Sequence, residues 1–202
     1  MNYPIQKGAV VIVAAGESKR LGTPKQLLPY QGDTLLNRLI ANLKQASDFP
    51  IFLILGASSE KIIEEIGATD FSIIINENWQ EGMASSIRLG IQVAQKNVPN
   101  LEGIMLVVCD QPFMAVANIQ ALIKLQKNTN LPIAASYYAN TLGTPALFHK
   151  SVFPDLLKLS GDVGAKNIIQ QRGTEVAKLH FEEGLLDIDT PEDYQQLLAS
   201  KP

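Results

Sequence analysis

The chain has 202 residues, 46% hydrophobic and 18% charged, a balance that supplies a substantial core and excludes a largely disordered protein. Its 17 basic and 20 acidic side chains give a net charge of −3 with no block of like charge, which argues against nucleic acid or an anionic membrane as main partner. A single cysteine, Cys109, excludes an internal disulfide framework and a cysteine-rich zinc site.

In chain order, the first apolar stretch follows Pro4 and Lys7 and runs straight into a glycine loop. Residues 9–14 are therefore expected to form a first core strand and not a signal peptide. No apolar run reaches the length of a membrane span, and the chain is read as cytoplasmic. Residues 51–55, 72–75 and 104–108 are also continuously apolar and rich in β-branched side chains, the pattern of strands covered on both faces. Between them, helical spacing marks residues 34–45, 58–66, 83–95 and 116–127, the first capped by Asp33 or Thr34. The last third is less regular, with strands expected at 133–135, 146–148 and 176–181 and helices at 152–159, 165–171 and 191–198. Strand–helix alternation without a linker or repeat predicts one domain over residues 1–202. Its fold class is α/β, a three-layer α/β/α arrangement around a mostly parallel sheet.

The loop after the first strand contains Gly16, Ser18, Arg20, Gly22, Pro24 and Lys25. Five residues separate Gly16 from Gly22, and Lys25 follows a proline, so it is not a P-loop; two glycines are too few for a dinucleotide fingerprint. Pro24 removes a donor and pushes Thr23 toward extended geometry, predicting a wrapped loop and not a helix start. Glycine lets backbone N–H groups approach a phosphate closely, and Arg20 and Lys25 supply cations.

Asp110 follows the strand 104–108, at the carboxyl end where ligands collect in an open parallel sheet, and a carboxylate there suits Mg2+. A second acidic station, Asp187 to Asp193, leads into a helix opened by Pro191, so Asp189 or Thr190 could instead be only its N-cap. His180 lies in a strand-like stretch and reads as structural. His149 reads as a surface residue at a strand end, near the side where an acceptor would bind. Cys109 has no identifiable partner base and reads as core.

The segment AAGESKRLGTPKQLLPYQGDTLL resembles the signature of the molybdenum cofactor cytidylyltransferases, within the GT-A-like nucleotidyltransferases that include the molybdopterin guanylyltransferase. The similarity continues, in the family's order, at NENWQEGMASSIRLG, VCDQP, GTPALF, GDVGAKNI and DIDTPED. The resemblance implies a Rossmann-like GT-A-type fold and a nucleotidyltransferase using Mg2+ held by Asp110 and Asp189, with Asp187 second to Asp189. It implies transfer of CMP from CTP to the terminal phosphate of molybdopterin, with Arg20, Lys25 and Asp110 catalytic. Nucleotide contacts fall to Ala14, Ala15, Gly16, Ser18, Arg20, Gly22, Lys25, Gly82, Ser85 and Ser86, with Trp79 at the pocket mouth or anchoring a helix entry. The acceptor contacts fall to Gly143, Thr144, Pro145, Asp162 and Lys166, the last in place of the family's common Arg. The AAG opening favours cytidine over guanosine. A sugar or polyol phosphate is the alternative acceptor, and a non-catalytic molybdenum cofactor carrier the alternative role, with a molybdenum hydroxylase as recipient.

Overall fold

The computed structural model describes residues 3–200. In chain order it forms β1 (Gly8–Ala14), β2 (Pro29–Tyr30), β3 (Asp33–Thr34), α1 (Leu35–Ala46), β4 (Ile51–Leu55), α2 (Ser59–Ile66), β5 (Ser72–Ile75) and α3 (Met83–Asn97). There follow β6 (Gly103–Val108), α4 (Val116–Thr129), β7 (Ile133–Tyr138), β8 (Thr141–His149), α5 (Phe153–Leu156), α6 (Lys166–Gln171), β9 (Val176–His180) and α7 (Pro191–Ala199). Seven strands make one sheet in the order β5-β4-β1-β6-β8-β7-β9, in which β8 alone runs antiparallel to its neighbours. Helices cover both faces, so the expected mostly parallel α/β/α fold is the one observed.

Each face has its own core. On one, Ile87, Ile91 and Ala94 of α3 pack with Phe153 and Leu156 of α5 and Ile169 of α6. On the other, Leu36, Leu39, Ile40 and Leu43 of α1 pack with Ile62 of α2 and Ile119 and Leu122 of α4. The central strands are buried along their whole length, which is why they read as unbroken apolar runs. A smaller cluster of Leu28, Tyr30, Leu35, Ile188 and Leu197 fastens the C-terminal segment to the β2–β3 hairpin.

The third of the chain with weak periodicity departs most from expectation. β7 and β8 extend well beyond residues 133–135 and 146–148, because a two-residue turn at Ala139 and Asn140, both with positive φ, folds them into a hairpin. The helix expected at 152–159 shrinks to a four-residue α5 behind a 3-10 turn, with Pro154 in its first turn. His149 is a correction. It is buried, stacked edge-on to Tyr3, and its Nδ1 accepts from the Ser151 N–H at 3.2 Å. Opposite Gly103 at the start of β6, it lies at the far edge of the sheet from Asp110.

Candidate active site

Strand order reverses at β1: the chain moves from β1 to β4 and β5 on one side, then returns to β6 on the other. The carboxyl ends of β1 and β6 are therefore adjacent with diverging connections, the place where open α/β sheets bind ligands. The Gly16 loop leaves β1 there, and Asp110 leaves β6.

The loop is fixed by its own polar groups. Ser18 adopts φ 55° and its Oγ accepts the Lys25 N–H at 3.1 Å, closing the loop onto itself. Residues 25–27 make one 3-10 turn and no α-helix, as Pro24 dictates. Gln26, buried at the centre of that turn, donates from Nε2 to the Ala14 carbonyl at 2.6 Å, so the turn is pinned to the end of β1.

This anchoring aims Lys25 at two acids from distant parts of the chain. Its Nζ lies 2.8 Å from Asp110 Oδ2 and 2.8 Å from Asp189 Oδ1. Arg20 reaches the other Asp189 oxygen, Oδ2, at 2.8 Å. Burial alone would depress the Lys25 ammonium, yet Asp110 and Asp189 together carry it above the ordinary lysine value. The same contacts, led by the Lys25 hydrogen bond, hold Asp189 below the usual carboxylate range.

The C-terminal station is built by alternation. Ile188 is fully buried in the small third cluster, and its N–H donates to the Asp110 carbonyl at 3.0 Å. Asp187 and Asp189 are thereby presented beside Asp110 from either side of one anchored residue. Thr190, not Asp189, caps α7: its Oγ1 accepts from the Asp193 N–H at 3.2 Å, while Asp193 Oδ2 accepts from the Thr190 N–H at 2.8 Å. The Asp189 carboxylate is thus left to the cations. Asp187 is pushed up to about 6, first by burial and then by the charges of Asp110 and Asp189.

Two cavities flank this cluster. One, of about 380 Å³, is walled by Ala14, Ala15, Gly16, Ser18, Lys25, Trp79, Gly82, Ser86 and Asp110, among others. The second, of about 310 Å³, is bordered by Asp110, Gln111, Tyr138, Gly143, Thr144, Asp162, Lys166 and Asp187 over an apolar floor. Most sequence-predicted residues therefore converge. Arg20, Gly22 and Ser85 do not line the first cavity, and Pro145 does not line the second. The Ser85 hydroxyl lies 2.8 Å from the Gly82 carbonyl and accepts from Asn76 Nδ2 at 2.8 Å, which commits it to the start of α3. Trp79 lines the first cavity, one of the two alternatives expected of it, and its Cβ packs where a side chain on Gly56 would otherwise stand. Gln26, Gln111, Tyr138 and Met83 were not anticipated. The two glutamines directly follow Lys25 and Asp110, a polar residue after each charged one, which is a readable signal; Tyr138, at a hairpin end, carries none.

Two carboxylates that share one ammonium face a common point and could face a divalent ion. Asp110 Oδ1, buried and without a hydrogen-bond partner, adds a hard oxygen donor there, so the residues fit Mg2+ or Mn2+. Among the described residues no three acidic, His or Cys side chains form a ready-made metal cage, and an ion at Asp110 and Asp189 would need oxygens from a substrate or water. Cys109 is buried beside Asp110, and burial followed by that charge pushes its thiol up to about 12, which leaves it un-nucleophilic.

Sheet order, loop and facing carboxylates define a nucleotidyltransferase of the Rossmann-like α/β class. The chain belongs to the family of MobA-like NTP transferase domains, which matches residues 10–176. It is 27% identical over 93% of its length to the nicotine blue oxidoreductase of Paenarthrobacter nicotinovorans, covering 95% of that protein. It is 24% identical over 91% of its length to the molybdenum cofactor cytidylyltransferase of Escherichia coli, covering 92% of it. The crystal structure of Rv0371c from Mycobacterium tuberculosis superposes with a TM-score of 0.82 at 30% identity, covering 99% of this chain and 100% of that one; that protein has also been crystallised as a manganese complex. No helix among the described residues is long and apolar enough to cross a membrane.

Proposed function

We propose that this nucleotidyltransferase, acting as one domain, moves CMP from Mg–CTP to the terminal phosphate of a molybdopterin-type acceptor, releasing pyrophosphate. The observation that carries the reading is the meeting of Asp110 and Asp189 at Lys25 Nζ, each 2.8 Å away, beside a glycine loop. The likeness to a molybdenum cofactor cytidylyltransferase supports the choice of acceptor and nucleotide.

An acceptor phosphate oxygen forms a bond to the α-phosphorus while the bond from that phosphorus to the β-bridging oxygen breaks, and pyrophosphate carries the electron pair away. The second pKa of a phosphate monoester is about 6, so the nucleophile is already ionised near neutrality and no histidine base is required. The Gly16 loop approaches the triphosphate with backbone N–H groups, and Lys25 and Arg20 neutralise charge on the leaving side. Asp110 and Asp189 would hold Mg2+, which when bound polarises the α-phosphate and offsets its charge. Gly82 and Ser86 border the nucleoside, whereas Gly143, Thr144, Asp162 and Lys166 border the acceptor. Lys166 gives the acceptor a point charge and not the fork of an arginine.

The test is pyrophosphate release across a matrix of four nucleoside triphosphates and several acceptors, molybdopterin, sugar phosphates and polyol phosphates among them, with and without Mg2+. CTP with molybdopterin is the expected productive pair. Asp110→Ala should retain its near-UV dichroism and lose activity by about 10²-fold or more. Turnover only with a sugar or polyol phosphate would move the acceptor class, and cofactor binding without nucleotide consumption would make the protein a carrier.

A further inference from the structure

The four carboxylate oxygens of Asp110 and Asp189 have very different availability. Both Asp189 oxygens are taken, Oδ1 by Lys25 and Oδ2 by Arg20, each at 2.8 Å. Asp110 Oδ2 is taken by Lys25, and Asp110 Oδ1 is buried without a hydrogen-bond partner. A divalent ion arriving at the nucleotide-free protein therefore finds both Asp189 oxygens and Asp110 Oδ2 already ion-paired. It must compete with two protein cations for those oxygens. The Lys25 side chain is only 15% exposed and that of Asp110 21%, against 66% for Arg20 and 41% for Asp189, so the competition at Lys25 and Asp110 runs in a partly dry site where like charges repel strongly.

Lys25 also lines the cavity beside Gly16, Ser18 and Lys19, where a triphosphate would lie. A triphosphate offers Lys25 and Arg20 new anionic partners, and drawing them away opens the carboxylates. We propose that Lys25, helped by Arg20, blocks the divalent-ion site of the nucleotide-free protein, so that ion and triphosphate each bind more tightly in the presence of the other. The inference rests on the transferase reading above and adds a regulated order to it. Linkage then requires that nucleotide raise the affinity for the ion by the same factor as the ion raises the affinity for nucleotide. Lys25 would thus act twice, as a plug in the empty protein and as a phosphate ligand in the loaded one.

The experiment is Mn2+ binding to the nucleotide-free, full-length protein, read from loss of the free-ion electron paramagnetic resonance signal. Wild type should bind weakly. Lys25→Met should bind roughly tenfold tighter or more, the scale of one partly buried ammonium removed from beside the ion. Adding Asp110→Asn to Lys25→Met should abolish the gain. Lys25→Gln, smaller in its perturbation and checked by near-UV dichroism, gives the same comparison if the methionine variant does not fold. Equal Mn2+ binding by wild type and both folded variants overturns the proposal, as does a gain that survives Asp110→Asn.

Water-proton relaxation with CTP and Mn2+ separates this failure from failure of the reading beneath it. If relaxation in the ternary complex depends on Asp110 and Asp189 while the Lys25 variants gain nothing, the plug is wrong and the transferase site stands. If it is indifferent to both aspartates, the site assignment falls and the plug falls with it.

Discussion

Asp187 and Asp189 stand two residues apart, and their surroundings shift their acidities in opposite directions. Lys25 and Arg20 hold Asp189 low, so its contribution to stability is present above the ordinary carboxylate value and lost as pH falls through the lowered one. Asp187 is raised from 3.8 to about 6. Between those values the unfolded chain sheds a proton that the folded chain keeps, so stability falls as pH rises through the window and the deficit persists above it. Asp187→Asn should therefore raise the melting temperature at pH 8 and leave it unchanged at pH 3.5. Solvent reaches Asp187, and the screened gain should be under about 1 kcal/mol, or a few degrees at most for a chain of this size. Cys109 gives a second test at this scale. Its buried, anion-flanked thiol should resist a disulfide reagent in the native protein and react on unfolding, and rapid native labelling would show that the β6 end opens.

At the scale of elements, the turn from Trp79 into α3 shows what the sequence could and could not convey. A helix from Met83 was legible from its apolar spacing, and a glycine before it suggested close approach to a ligand. The neighbour that needs that glycine was not legible. Gly82 has φ +99°, and a Cβ there would stand 2.4 Å from the Gly161 carbonyl carbon and 2.5 Å from Asp162 Oδ1. The turn is pressed against a loop almost eighty residues later, and Asp162 borders both cavities where it had been expected only on the acceptor side. Gly82→Ala should cost about 1–3 kcal/mol in denaturant unfolding and weaken nucleotide binding together, because backbone strain and displacement of Asp162 share one cause. Loss of stability with unchanged nucleotide affinity would separate the turn from the site. The β7–β8 hairpin was missed for a related reason: Ala139 and Asn140 carry positive φ without the glycine that usually announces it. The strands whose burial came from sheet position alone, such as Ile51–Leu55, were read with their bounds intact.

The whole molecule joins its charged cluster from three regions of the chain: the β1 loop, the end of β6, and a C-terminal leg fastened by Ile188 to the Asp110 carbonyl. The sheet itself is complete at His180. A chain ending at Phe181 should keep a cooperative melt, lowered because Leu28, Tyr30 and Leu35 lose their cover, and show no pyrophosphate release. Residual release at wild-type rates would assign Asp189 a structural role only. Asp110 was readable from its place after an apolar strand, and Asp189 only by resemblance, since nothing local in DIDTPED says which acid turns toward the loop. Because translation proceeds from the N-terminus, every strand of the scaffold is made before Asp189 is added, so on the proposed reading the site gains its second acid only after the chain of the sheet is complete.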